Sequence, residues 1–299
     1  MEIYEIANQA TFDEPVIYKG IKIYPITIRY YQIVKMAYMA FAVNTAADTD
    51  IELIGLPYME YMMKKAQKEP DFVEVWNIFN SILRLSFNDQ LHSFKYENGF
   101  LKLVVAVPTE KYNEETMCVY REKLSIYRNL TVDSYHETLN KRQIFKILEE
   151  IDRLANEMFV FHTFGDEDFA EIKKIICYLN DIDDTIIDPK WEAELKKANK
   201  ILNEISNSKN PPSTEDLIDV VAYQLHKLPS EIQDMTVRRF DRYLELELDR
   251  ENYKLLRSAE LNGTEFKRPI THWLKGYKPK TRYANAQNNG GGVQEVLKK

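Results

Sequence analysis

Histidine, cysteine and clustered acidic residues are the side chains most able to do chemistry in this sequence, and their spacing predicts no catalytic or metal site. His136 and Glu137 begin like the helical motif of zinc proteases, but Asn140 stands where that motif needs its second histidine. The two cysteines, Cys118 and Cys177, have no partner motif, which disfavours a disulfide framework or a zinc site and favours a reducing compartment. We therefore expect neither a metal nor another cofactor.

A run of aspartates after a predicted helix resembles a cation-binding loop in composition only. It contains Asp181, Asp183, Asp184 and Asp188, but it lacks the glycine and the distal glutamate of an EF-hand. A solvated acidic turn is the simpler interpretation. The chain also has no Gly-rich phosphate loop and no Gly-x-Ser-x-Gly nucleophile motif. The sequence therefore favours a non-enzymatic protein.

Composition narrows the class of protein further. Hydrophobic residues make up 44% of the 299 residues, which is enough for a substantial core. The formal net charge of -7 argues against a dedicated nucleic-acid binder. The most apolar run, residues 36–43, is too short to span a membrane, and the acidic N-terminus does not resemble a signal peptide. We expect a soluble, intracellular protein.

The spacing of apolar residues predicts a mainly α protein of the α+β class, with a small antiparallel sheet of hairpins in its N-terminal part. Lys19-Gly20 and Asn98-Gly99 are the predicted hairpin turns, and their strands are expected to join in one sheet. Four regions follow along the chain: an α+β region (1–135), a helical middle region (136–207), a C-terminal helical module (211–276) and a mobile basic, glycine-rich tail (277–299).

The C-terminal module has the clearest helix boundaries. Ser213 with Asp216 predicts a capped helix start, and Thr236 is a good N-cap for a long second helix. Asn262-Gly263 is expected to end that helix, because glycine readily adopts the left-handed conformation.

Three arginines, Arg238, Arg239 and Arg242, lie in the first turns of this long helix. Positive charge there opposes the helix dipole, so these residues are candidates for a functional role. Two helices joined by a short break superficially resemble a helix-turn-helix, but acidic and basic residues across the module nearly balance. Nucleic-acid binding is therefore kept as a lesser alternative, and the basic segment 275–282 is a better candidate for phosphate contact than this helix.

A second candidate surface lies near the N-terminus. The helix predicted from Thr27 towards Asn44 is apolar nearly all round after Lys35, which is typical of a central core helix or of a helix that lacks its partner. Methionine and tyrosine suit adaptable contact surfaces, although ordinary core positions are the alternative. The candidate partner-binding residues are Tyr31, Met36, Met39, Met59, Met62, Met63, Arg238, Arg239 and Arg242.

Several segments resemble proteins encoded among the tail genes of tailed bacteriophages that infect Gram-positive bacteria. The likeness is carried by residues 18–25 (YKGIKIYP), 168–172 (DFAEI) and on through Asn180, 187–189 (IDP), 235–240 (MTVRRF), Tyr253, 258–260 (SAE), Gly263 and 272–273 (HW). It is a resemblance to phage tail assembly chaperones, or to minor tail and baseplate proteins. It implies a non-enzymatic protein that binds another tail protein, such as the tape measure, tube or a baseplate component, in the host bacterial cytoplasm during assembly.

Two other interpretations remain beside this one. The first is a structural tail or baseplate component retained in the virion, whose Gly-rich tail docks on a neighbouring subunit. The second is a nucleic-acid-binding regulator. A homo-oligomer is compatible with the assembly role, whereas no contact with a membrane is expected. The resemblance assigns no functional residue.

Overall fold

The computed structural model describes residues 3–133, 141–186, 212–266, 270 and 272–273. The helices are α1 (Ile3–Thr11), α2 (Tyr31–Met36), α3 (Tyr38–Phe41), α4 (Tyr58–Lys68), α5 (Val73–Phe87), α6 (Glu114–Asp133), α7 (Lys141–Met158), α8 (Asp166–Asn180), α9 (Thr214–Gln224), α10 (Pro229–Ile232) and α11 (Val237–Leu261). The strands are β1 (Val16–Tyr18), β2 (Ile21–Ile23), β3 (Leu91–Glu97), β4 (Phe100–Pro108) and β5 (Phe159–Phe164). The predicted mainly α, α+β fold is confirmed.

All the predicted boundaries between regions lie outside the described residues, so they stay predictions. The predicted tail, residues 277–299, and the predicted linker before the C-terminal module lie outside them as well.

Both predicted hairpins are present. Lys19 and Gly20 have φ of 45° and 90°, and Asn98 and Gly99 have φ of 54° and 83°. A type I′ turn needs positive φ at both central residues, which is why these dipeptides gave a strong signal. The two hairpins close β1 on β2 and β3 on β4.

The expectation that both hairpins join in one sheet was wrong. β1 and β2 form a two-stranded sheet, while the second sheet has the order β3-β4-β5. β5, which was not predicted, pairs antiparallel with β4 and occupies its second edge. The N-terminal hairpin instead packs beside a β5 side chain: a Cβ added at Gly20 would lie 2.5 Å from Cε1 of His162.

The helix predicted from Thr27 to Asn44 is interrupted. A 3-10 turn (Ile28–Tyr30) leads into α2, and α3 follows after Ala37. The break has a local cause, because the Ala37 amide donates to the Val34 carbonyl three residues back, at 3.1 Å. The α1 helix at the N-terminus was also not predicted. Among its described side chains, those of Ile6 and Ala10 are buried.

One hydrophobic core gathers residues from the N-terminal, middle and C-terminal parts of the chain. Its centre is Phe79 on α5, which is fully buried. Five aromatic rings surround Phe79 with centroids 5.5–6.1 Å away: those of Phe41, Tyr58, Trp76, Phe94 and Phe169. Val221 of α9 and Phe240 of α11 belong to the same core. The described C-terminal helices are thus packed on the core that the N-terminal helices form.

The predicted helix caps of the C-terminal module are confirmed. The Ser213 hydroxyl accepts from the Asp216 amide at 3.1 Å, and the Asp216 carboxylate accepts from the Ser213 amide at 2.8 Å. Thr236 accepts from the Arg239 amide at 3.3 Å, and Gly263 ends the long helix with φ of 89°. These local signals were readable because each depends on residues close in sequence.

Candidate partner-binding site

The start of α11 is bonded to the segment that leads into α2. The Ile28 amide donates to the Met235 carbonyl and the Val237 amide to the Ile26 carbonyl, each at 2.9 Å. The buried Asn180 side chain at the end of α8 accepts from the Ile26 amide at 2.7 Å. These bonds bring three segments, distant in sequence, to one place.

Two of the three candidate arginines join α11 to other parts of the fold. The Arg238 guanidinium lies 4.3 Å from the Tyr178 ring centroid and donates to the Tyr178 carbonyl at 2.8 Å. Arg239 forms an ion pair with Asp13 at 2.8 Å. Arg242 is exposed. Positive charge at the N-terminal end of α11 opposes the helix dipole. Contacts within the fold therefore explain the presence of Arg238 and Arg239 at these positions.

Substitution of Arg239 tests this structural role. We expect Arg239→Ala to lower the free energy of unfolding by about 1 kcal/mol, because the ion pair with Asp13 is partly exposed. Urea denaturation followed by circular dichroism measures the change, with Arg121→Ala on the exposed surface of α6 as the control. Unchanged stability combined with weaker binding to duplex DNA would instead favour the nucleic-acid alternative.

The candidate methionines fall into two groups. Met59 and Met62 on α4 are fully buried core residues, and Met63 is half-buried against the same core. A partner cannot contact Met59 or Met62 while α4 keeps this packing, so the prediction that these two residues bind a partner is not supported. Met36 and Met39 are different, since 38% of each residue is exposed.

An open cleft of about 440 Å³ lies between the α2–α3 segment, the turn after α8, and α11. Its apolar lining consists of Val34, Tyr38, Ile182, Leu244 and Leu248. Its charged lining consists of Lys35, Asp181, Asp183, Asp241 and Glu245. Among the apolar lining residues, Leu248 is the exposed one, with 57% of its surface accessible to solvent. We call this site the acidic cleft.

Asp241 fixes one wall of the acidic cleft. Its carboxylate accepts from the Tyr31 hydroxyl at 2.9 Å and from the Lys35 ammonium at 2.5 Å. The Tyr31 ring also packs edge-on against Phe240, at 5.2 Å between centroids. Burial, reinforced by the Asp241 carboxylate, raises the pKa of Tyr31, so its hydroxyl stays protonated and remains a donor. The candidate residue Tyr31 therefore positions α2 against α11.

The charge of the cleft is predominantly negative, since its lining has four carboxylates and one ammonium group. Asp181 is at the end of α8 in the left-handed conformation, with φ of 52°. Desolvation raises the pKa of its carboxyl, and Asp241 adds to the rise while Lys35 opposes it. Asp183 accepts from the Thr185 amide at 3.0 Å, which orders the turn. Such a lining favours a cationic ligand over an anionic one.

The described residues carry no group of three or more histidine, cysteine, aspartate or glutamate side chains arranged to hold a metal ion. Among the helices of that same part of the chain, none has both the length and the apolar character needed to cross a membrane.

Comparison of the chain with protein-family models, with curated proteins and with solved structures found no match. The interpretation of the acidic cleft therefore depends on its own geometry.

The cleft lies between two of the helices that the sequence analysis selected. The side chains that line it are not the candidate residues predicted on those helices. Val34, Lys35 and Tyr38 face the cleft, whereas Met36 and Met39 are not part of its lining. On α11 the charged residues of the cleft come after Arg238 and Arg239 and lie on either side of Arg242 in the sequence. Asp241 and Glu245 are spaced four apart on one helical face, and this spacing was the available signal.

Proposed function

We propose that this protein acts by binding another protein, and that the acidic cleft receives a segment of that partner. The observation that carries the proposal is the lining of the cleft, where an apolar surface of Val34, Leu244 and Leu248 adjoins a set of carboxylates. This chemistry suits a segment with an apolar or aromatic side chain flanked by lysine or arginine. Apolar burial then contributes affinity, and charge complementarity contributes specificity and association rate.

We further propose that the partner is another phage tail protein, such as the tape measure or a baseplate component, and that binding occurs during tail assembly. The support for this step is the resemblance of several short segments to tail-gene products, together with a cleft whose apolar and acidic lining suits a protein segment. On this proposal the protein has no turnover and needs no cofactor.

Retention in the virion is the alternative within the same class of function. Mass spectrometry of purified particles separates the two roles. Absence from particles is expected for an assembly factor, whereas a fixed copy number in particles would make the protein a structural tail or baseplate component.

Nucleic-acid binding is less compatible with the site. An acidic cleft repels phosphate groups, and the contacts of Arg238 and Arg239 are with Tyr178 and Asp13. Affinity for DNA that falls steeply with salt and is lost when these arginines become glutamate would contradict the proposal.

A double substitution in the cleft tests protein binding directly. In Asp183→Asn with Glu245→Gln, the Tyr31 and Lys35 contacts of Asp241 are retained, and the asparagine still accepts from the Thr185 amide. We expect affinity for the tail partner to fall about tenfold, because each lost charge contact contributes roughly 0.5–1 kcal/mol. The measurement is affinity capture from infected-cell lysate with identification and quantification by mass spectrometry.

The matched control removes the same charge elsewhere, through Asp89→Asn with Glu110→Gln on exposed loops. Capture by this control should equal capture by the unmodified protein. Equal capture by the cleft variant would remove the acidic cleft as the binding site.

A further inference from the structure

We propose that residues 275–282 of the same chain occupy the acidic cleft when no partner is bound. The inference rests on the proposed function, because it assigns a competitor to the same site. The segment reads KGYKPKTR and carries Lys275, Lys278, Lys280 and Arg282 with no acidic residue. Its charge is therefore the opposite of that of the cleft lining.

The described chain returns along α11 after that helix ends. Gly263, with φ of 89°, ends α11 and turns the chain. His272 then lies beside Tyr253, with ring centroids 5.1 Å apart. Tyr253 precedes Leu261 by eight residues, so the chain has returned by about 12 Å along the helix axis.

The remaining distance is within reach of the segment. Glu245 lies eight residues before Tyr253, which corresponds to about 12 Å along α11. Counted from Trp273, an extended chain reaches roughly 17 Å at Lys278 and roughly 30 Å at Arg282. The segment is therefore long enough for Lys278 and Lys280 to reach the level of Glu245 along the α11 axis.

The side-chain order of the segment matches the lining. Tyr277 is an aromatic residue with lysine on both sides, at 275 and 278. In the proposed arrangement its ring covers Leu244 and Leu248, and Lys278 approaches Glu245. A tyrosine gives large contact area with few rotatable bonds, so ordering it costs little conformational entropy. Pro279 further restricts the segment before binding.

Because the segment is tethered, it competes with a partner at a high effective concentration, on the millimolar scale for short linkers. Occupation in cis thus keeps the apolar part of the cleft covered until a partner with better contacts displaces it.

Zero-length carbodiimide cross-linking of the full chain tests the contact. We expect amide links between Lys275, Lys278 or Lys280 and the carboxylates of Asp183, Asp241 or Glu245. A mixture of ¹⁴N- and ¹⁵N-labelled chains distinguishes the source, since contacts in cis give cross-linked peptides of a single isotope only. Mixed-isotope pairs would show that a second copy supplies the segment and would overturn occupation in cis. The absence of any amide link between these lysines and these carboxylates would also overturn the proposal.

Competition provides the second measurement, with a synthetic peptide of residues 275–283 as the probe. The peptide should bind the variant Lys278→Glu with Lys280→Glu about tenfold more tightly than it binds the unmodified chain. The matched control, Lys298→Glu with Lys299→Glu, should resemble the unmodified chain. Equal affinity for all three proteins would overturn occupation in cis while leaving the cleft as a binding site. Failure of the peptide to bind any of the three proteins would also overturn occupation by this segment, whereas partner binding is tested separately by capture with the variant Asp183→Asn with Glu245→Gln.

Discussion

Replacement of Phe79 by alanine is expected to lower the free energy of unfolding by about 4 kcal/mol. Phe79 is fully buried and five aromatic rings surround it, so the substitution removes apolar contacts and leaves a cavity that rigid rings cannot fill. Urea denaturation followed by circular dichroism measures the loss. Phe145→Ala on the exposed side of α7, where 62% of Phe145 is accessible to solvent, is the control and should cost less than about 0.5 kcal/mol.

A small loss for Phe79→Ala, below about 1 kcal/mol, would contradict the single aromatic core. The core matters for the binding site because it holds α2 and α3 on one side and α8 on the other.

Replacement of Asp48 by alanine is expected to lower the free energy of unfolding by about 3 kcal/mol. The Asp48 carboxylate accepts from the Tyr61 hydroxyl at 2.6 Å and from the Lys65 ammonium at 2.5 Å. Only 2% of the Asp48 side chain and 17% of the Lys65 side chain are exposed. The substitution therefore leaves a largely buried ammonium group whose remaining carboxylate is that of Glu69, at 3.8 Å and half-exposed. Denaturation in urea at pH 7 measures the loss, and Glu52→Ala, at an exposed position in the same loop, is the control.

The stability that Asp48 contributes should also depend on pH. Desolvation acts to raise its pKa, but hydrogen bonds from the Asp50 amide, Lys65 and Tyr61 hold the pKa well below its usual value. A depressed pKa in the folded state stabilises the fold above the unfolded-state pKa of about 4, and this contribution declines as the pH falls below that value. Between pH 5 and pH 3 the unmodified protein should therefore lose more stability than Asp48→Ala. Parallel loss in both proteins would contradict the assigned ion pair.

Features that depend on residues close in sequence were predictable. The Lys19-Gly20 and Asn98-Gly99 turns require positive φ, and the caps at Ser213 and Thr236 use side chains that reach a backbone amide three residues away. Each of these signals is complete within a few residues, so tertiary contacts did not alter it.

Features that depend on tertiary contacts were missed. β5 follows α7 directly at Met158 and Phe159, with no turn residue to mark the change from helix to strand. Its pairing with β4 supplies the hydrogen bonds that local sequence does not reveal. The break at Ala37 was missed for a different reason, because it is a local backbone hydrogen bond that apolar periodicity does not report.

The binding site also combines features that the sequence indicated with features that depend on tertiary contacts. The sequence indicated α2 and the start of α11, and both contribute to the acidic cleft. It did not indicate which methionines are buried, because Met59 and Met36 are the same residue type in similar helical patterns. Asp181, Asp241 and Lys35 come from three separate segments. The backbone bonds between residues 26–28 and 235–237, together with the Asn180 bond to the Ile26 amide, bring these segments together.

The most direct test of the acidic cleft is a calorimetric titration of the captured tail protein into three forms of this chain at two salt concentrations. The forms are the unmodified protein, the cleft variant Asp183→Asn with Glu245→Gln, and the control Asp89→Asn with Glu110→Gln. We predict that the cleft variant binds about tenfold more weakly at low salt, that the difference narrows at high salt, and that the control binds normally. Equal affinity of all three forms at both salt concentrations would contradict binding through the cleft.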